Sequence, residues 1–266
     1  MLSTLKDLIR HRQLLWQFSN RDVAQRYKGS YFGLTWALIQ PLLMLVVYSF
    51  VFTQVFKVKW GTGSDMNQFQ FAITMFAGLI VFQIFSDPVY RSTSILQSNP
   101  NFIKRVVFPL EILPISSIIS SFILQLFSIV IYLVALLCFG YSITWSWILA
   151  PISIIPVIIL SAGISLLISS LSVFFRDVGQ IISIVMNILF YISPVFYPVT
   201  AVPEAFRPYM YLNPLTTIIE TFRATTMGTQ DLKLLPWFEV LGVSIVIFLI
   251  GSYIFKISKE NFADVI

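Results

Sequence analysis

The sequence is poor in charge, in cysteine and in histidine, and each shortage removes a class of protein. Asp, Glu, Lys and Arg make up 11% of the 266 residues, against about 25% in a soluble globular domain. Because 57% of the residues are hydrophobic and 16% aromatic, a soluble fold of this size could not hide its apolar surface. The one cysteine, Cys138, lies in an apolar run without a partner, so no disulfide forms within the chain. The one histidine, His11, sits on a basic stretch and reads as a solvated surface residue. No zinc-ligand cluster, P-loop, nucleophile elbow or dinucleotide fingerprint occurs. An enzyme reading therefore has no polar cluster to stand on, and neither a metal site nor a cofactor held by this chain is expected.

What is present is a series of uncharged apolar runs, at residues 33–56, 69–86, 112–139, 148–173, 179–197 and 240–255. A bilayer-spanning helix needs about 20 mostly apolar residues, so the expected fold is an all-α integral membrane protein with six spans. Their expected bounds are about 33–56, 69–87, 110–139, 148–173, 179–197 and 236–256, in a domain over residues 31–266. The first run is too long for the core of a signal peptide and is expected to be retained.

With the N-terminus inside, twelve basic residues fall on the inner side: Lys6, Arg10, Arg12, Arg21, Arg26, Lys28, Arg91, Lys104, Arg105, Arg176, Lys256 and Lys259. Five fall outside: Lys57, Lys59, Arg207, Arg223 and Lys233. Because Lys and Arg near span ends set orientation, both termini are expected in the cytoplasm.

Residues 1–30 form an arm that places Leu5, Leu8, Ile9, Leu15, Trp16, Val23 and Tyr27 at three- and four-residue spacing. This predicts an amphipathic helix in the headgroup plane, serving as an anionic-lipid anchor or a docking element. Asn20 is a candidate cap for a second helical piece, and Gly29 with Ser30 a break before the first span. In the loop over 88–108, Asn99 and Pro100 predict a helix reaching about Phe108. Its Phe102, Ile103, Val106 and Val107, beside Lys104 and Arg105, need a partner, either lipid or protein. The outer segment 198–235 holds four prolines yet is rich in Phe, Tyr, Leu and Ile. Two short helices are expected there, one from Pro203 and one with Asn213 as cap, Pro214 in the first turn and Gly228 as stop. Their apolar faces suggest that they dip back into the outer leaflet, which is permitted where irregular backbone is buried in protein or lines water.

No carboxylate lies mid-span: Asp87, Glu111, Asp177 and Glu239 fall at span ends. Ion-coupled transporters keep such a group inside the membrane to bind the coupling ion, so uphill transport by this chain would draw its energy from a partner. In the fifth span Gln180, Ser183, Asn187, Tyr191 and Pro194 share one helical face. In the first, Trp36, Gln40, Met44, Tyr48 and Phe52 recur every four residues, with Pro41 a candidate kink. These stripes read either as the wall of a passage or as polar helix-packing contacts. Ser117, Ser121, Gln125 and Ser128 in the third span, and Ser161, Ser165 and Ser169 in the fourth, have the spacing of close helix contacts. Rings and neutral amides suit a polar, weakly ionic solute such as a sugar chain, which can slide past without being held.

Five segments carry a resemblance: RDVAQRYKGSYFGLTWALIQP at 21–41, NFIKRVVFPLEILP at 101–114, FFRDVGQII at 174–182, YISPVFYP at 191–198 and NPLTTIIETFRA at 213–224. In order and spacing the chain resembles the polysaccharide and teichoic-acid export permeases of the ABC superfamily, type 2, and is most similar to their O-antigen branch. The resemblance implies a homodimer of six-span subunits in the inner membrane, with two cytoplasmic ATPase subunits, which hold ATP and Mg, docked beneath. The arm would be an interfacial helix, Asn99 to Phe108 a coupling helix, and 198–228 a periplasmic gate that includes Pro203, Phe206, Tyr209, Asn213 and Pro214. The first and fifth spans would line a continuous channel for a lipid-diphosphate-linked glycan. Arg21, Arg26, Lys28 and Arg176 become candidates for receiving the diphosphate, against the alternative of ordinary positive-inside charge. A type 2 permease for lipids or small hydrophobic drugs is the alternative, and no nucleic-acid partner is expected.

Overall fold

The structure, a computed structural model, describes residues 10–51, 68–103, 108–228 and 234–265. Among them the regular elements are all helical. Helix α1 (Arg12–Arg26) is the arm, and α2 (Trp36–Phe50) follows after Gly29, whose left-handed backbone (φ 84°) ends the arm. Then come α3 (Gln68–Ser92), the one-turn α4 (Pro100–Ile103) and α5 (Ile112–Cys138). After a 3-10 lead-in, α6 (Ile155–Phe174) returns and α7 (Val178–Ile192) turns back again. Short turns lead to α8 (Pro214–Met227), then α9 (Leu234–Ser258), and the last turn is α10 (Phe262–Val265).

Among the described residues, five stretches are long and apolar enough to cross a bilayer: Gly33–Phe50, Gln70–Ser92, Ile112–Cys138, Trp145–Phe174 and Leu234–Asn261. The sixth expected span is the shorter apolar α7. At 1.5 Å per residue, its 15 residues cover about 22 Å of a hydrocarbon layer about 30 Å thick. Pro194, two residues past its end, lacks the N–H that would continue the ladder.

Helix α3 occupies the centre, with 89% of an 18-residue apolar stretch buried. It packs on α5, α6 and α8, and its Ile73, Phe76, Ala77, Ile80, Ile84 and Val89 belong to the main core. Its helix continues past Asp87 and Pro88, where a loop was expected, because Asp87 and Arg91 find opposite charges on the arm. Helices α6 and α9 make the most extensive pair. Small residues set their approach: a Cβ on Gly163 would lie 2.6 Å from the Phe248 backbone, and one on Gly251 would fall on the carbonyl oxygen of Gly163. Ser161, Ser165 and Ser169 of α6 are fully buried.

Helix α1 packs on the bundle. It runs unbroken through Asn20, so that residue caps nothing. Its docked side carries Leu14, Leu15, Phe18, Ser19, Asp22 and Arg26, and it lies along α5 while Trp16 is exposed. A seam of half-buried charge joins it to α3.

Candidate functional site

Three regions contain the candidate residues. The first lies between α2, α3 and α5, where a cavity of about 300 Å³ is lined by Gln40 and Met44 of α2, Gln83 and Tyr90 of α3, and Gln125 of α5. The Gln125 amide donates to Gln83 Oε1 at 2.9 Å, and Gln125 Oε1 is buried without a partner. Neutral amides from three helices thus face one space. At one end it meets Arg26, Tyr27 and Asp87. Burial raises the Tyr27 hydroxyl above the usual tyrosine range, the neighbouring Arg26 charge pulling it down and Asp87 pushing it up.

Of the remaining first-span ridge, Trp36 is exposed with its ring edge-on to Phe32, and Phe52 lies outside the described residues. Tyr48 meets Phe196 at 6.0 Å between ring centroids. Phe196 stacks edge-on against Phe190 at 4.8 Å, and Phe190 touches Phe82 at 4.9 Å and Tyr191 at 5.6 Å. This aromatic chain joins Tyr48 of α2 to Tyr191 of α7. Sequence reasoning missed its two middle members, although both flank Pro194 at the break in α7. On α7 itself Gln180, Asn187 and Tyr191 are exposed, Ser183 is half-buried, and Ile181, Ile184 and Ile188 are exposed beside them.

The second region is the arm end. Arg26 bonds Asp87 at 2.8 Å and Ser121 Oγ at 2.8 Å, and Asp22 approaches it at 3.6 Å. Arg91 and Ser120 both donate to Asp22, and Ser121 donates to Asp87. Two carboxylates and two cations from two helices, α1 and α3, therefore neutralise one another, with serines of α5 bonded among them. Arg26, expected among free diphosphate-receiving cations, is already committed to two carboxylates. The serines of α5 serve this seam as well as close packing. The signal was present as Asp22–Arg26 and Asp87–Arg91 at four-residue spacing. Arg21, Lys28 and Arg176 are exposed and form no ion pair among the described residues. Arg21 lines a cleft of about 290 Å³ whose far wall includes Asn99.

At α4, Asn99 donates its amide to the Ile95 carbonyl at 2.8 Å, back along the chain rather than onto the helix. Pro100 starts the helix, which is described to Ile103, and Lys104 and Arg105 lie outside the described residues. Ile103 is buried, and Phe102 stands 5.2 Å from Phe18 and 4.8 Å from Phe108. Of these two apolar side chains, expected to seek lipid or another protein, Phe102 meets Phe18 of the chain's own arm and Ile103 is buried in the apolar cluster beside it.

The third region is α8. The Asn213 side chain accepts from Leu215 N at 3.1 Å and donates to Ser193 Oγ at 2.9 Å, Pro214 fills the first turn, and Gly228 closes the helix with φ 62°. Leu215, Ile218, Ile219 and Phe222 are buried in the main core. Arg223, only 2% exposed, bonds Glu220 at 2.9 Å, the Thr74 carbonyl at 3.0 Å and the Val195 carbonyl at 2.9 Å. Arg223, expected only as one of five charges outside the spans, is thus a buried and neutralised cation. Gly78 provides the space: a Cβ there would lie 2.8 Å from the guanidinium. Pro203, Phe206 and Tyr209 stand exposed at the same end.

These regions define a multi-pass helical membrane protein whose buried polar groups are mostly serine and threonine hydroxyls, with Arg223 and Glu111 each paired to an opposite charge, and with no catalytic constellation among the described residues. A profile of the family described as ABC-2 type transporter matches residues 13–227. The chain is 31% identical over 256 residues to the O-antigen export system permease protein RfbA of Klebsiella pneumoniae, with 95% of each chain covered. It is 27% identical over 266 residues to the protein of the same name from Myxococcus xanthus, with 99% of each covered. To the polysialic acid transport protein KpsM of Escherichia coli it is 24% identical over 208 residues, 78% of each. The chain belongs to the ABC-2 type transporter family, and as such is a transport permease rather than an enzyme.

Proposed function

We propose that the chain is the membrane subunit of an ATP-driven exporter that carries a lipid-diphosphate-linked, O-antigen-like polysaccharide across the inner membrane. In this reading two copies of six spans each stand side by side with both termini in the cytoplasm, and two ATPase subunits dock beneath and hold ATP and Mg. Residues 198–228 gate the periplasmic end, and α2 and α7 of both copies line the channel. Arg21, Lys28 and Arg176 meet the diphosphate at the inner headgroups, and the segment from Asn99 to Phe108, with Lys104 and Arg105, takes the push of the ATPase.

The observation that supports this reading best is the distribution of unclaimed surface. Only 11% of an apolar stretch in α2 is buried, and on α7 the one buried residue is Met186. These are the two helices striped with rings and amides. Contact with a second copy across a hydrated passage would give the stripes a role that acyl chains cannot, since lipid offers no partner to Gln180 or Asn187.

The test is reconstitution with a co-expressed ABC ATPase subunit in proteoliposomes preloaded with lipid-diphosphate-linked glycan. ATP-dependent appearance of glycan in the opposite compartment is the expected outcome, with Tyr48→Ala and Tyr191→Ala lowering it while ATPase docking persists. Export without the ATPase, or movement of simple lipid but not glycan, would overturn the reading.

A further inference from the structure

The end of the described chain is built into the arm end of the bundle. After α9 comes the 3-10 turn Lys259–Asn261, and Lys259 Nζ bonds Glu111 Oε1 at 2.8 Å at the foot of α5. Phe262 is fully buried, its ring 5.5 Å from Phe255 of α9 and 6.0 Å from Phe174 of α6. It belongs to a second apolar cluster, separate from the main core, that also holds Leu96 and Ile103 on either side of α4's start, with Phe18 of the arm and Phe102 packed against it. Three segments distant in sequence thus share one small core: the arm, the α4 loop and the C-terminal turn.

Close-packed interiors resist compression and pass displacement on. A push on α4 therefore meets Phe18 on one side and, through Leu96 and Ile103, the cluster closed by Phe262 on the other. Behind Phe262 stands the α6–α9 pair, joined at backbone distance by Gly163 and Gly251. From this geometry we infer that the C-terminal turn, through Phe262 and its Lys259–Glu111 anchor, is a positioning element that transfers movement of α4 to α6 and α9. Phe262 touches no solute; it keeps the cluster from yielding locally. Without its ring the space left would absorb the push, and ATP would be spent without transport. This inference rests on the proposed docking of an ATPase at α4.

The test is the ratio of glycan exported to ATP hydrolysed by the reconstituted full complex. In Phe262→Ala the ATPase rate stays within about twofold of wild type while the ratio falls about tenfold, and Phe262→Leu, which refills most of the volume, recovers most of it. A purely structural role would instead reduce the assembled complex and leave the ratio per assembled complex unchanged; that result overturns the inference. Lys259→Ala, which cuts a half-exposed anchor without emptying the core, is expected to lower the ratio about threefold. Should Phe262→Ala fail to assemble, an unchanged ratio in Lys259→Ala overturns the inference by itself. Wild-type complex lacking ATP-dependent export would sink the exporter reading and this inference together, whereas coupled wild type with coupled variants sinks only the latter.

Discussion

Helices α2 and α3 are apolar stretches of equal mean hydropathy, yet 11% of one and 89% of the other is buried. The difference lies in shape and in polar anchoring. Helix α3 offers Ala77 and Gly78 where neighbours close in, and buries a ring or branched side chain on nearly every other face. Its ends are fixed by Arg223 at Thr74 and by Arg26 at Asp87. Helix α2 projects Leu42, Leu43, Val46, Val47 and Phe50 outward and touches only α3 and α5 with any extent. Hydropathy thus reports that a helix avoids water, and says nothing of whether protein or lipid replaces it.

This contrast can be broken at α3 most easily. Arg223→Ala leaves the half-buried Glu220 without its cation and strips the carbonyls of Thr74 and Val195 of their donor, so stability should fall by about 3 kcal/mol. Thermal unfolding of the detergent-solubilised protein measures it, and a loss below about 1 kcal/mol would mean that α3 is not fixed there. Gly78→Val should cost about 1–3 kcal/mol by forcing the guanidinium and the Val195 backbone apart, read in the same assay. At the arm, Asp22→Asn removes a carboxylate that serves Arg91, Ser120 and Arg26, at a cost of about 1.5–3 kcal/mol. Its expected sign is faster tryptic cleavage within Arg12–Arg26, and unchanged protection would show that the seam does not hold the arm. Smallest should be Leu43→Ala or Val46→Ala on α2, within about 0.5 kcal/mol for the single chain. A larger loss would reveal a protein partner on that face, and comparing chemical crosslinking of wild type and variants would show whether it is a second copy.

How much of this was legible in the sequence follows from the range of each signal. The uncharged runs announced the long helices, and Asn213, Pro214 and Gly228 marked both ends of α8, because caps and breakers act within a turn. Pairings across long separations were not announced. Arg26 and Asp87 are 61 residues apart, and nothing in a linear reading tells a cation bound to a neighbouring helix from one free for a ligand. Counting spans placed Arg223 among the outside charges but could not show it buried, which Glu220 one turn away and the missing side chain at Gly78 make possible. Of the candidate channel residues, Gln40 and Met44 share a cavity, and Tyr48 and Tyr191 are joined through Phe196 and Phe190. The outward stripe of α7 needs a surface beyond this chain to give it meaning.

The glycine contact between α6 and α9 has a mechanical consequence. Two helices whose backbones touch have no side-chain layer to slide on, so they behave as one stiff beam. Any widening of the molecule is then left to α2 and α7, the members least fastened to that beam. Side chains introduced at Gly163 or Gly251 would pry the beam open, turning a fixed frame into a joint.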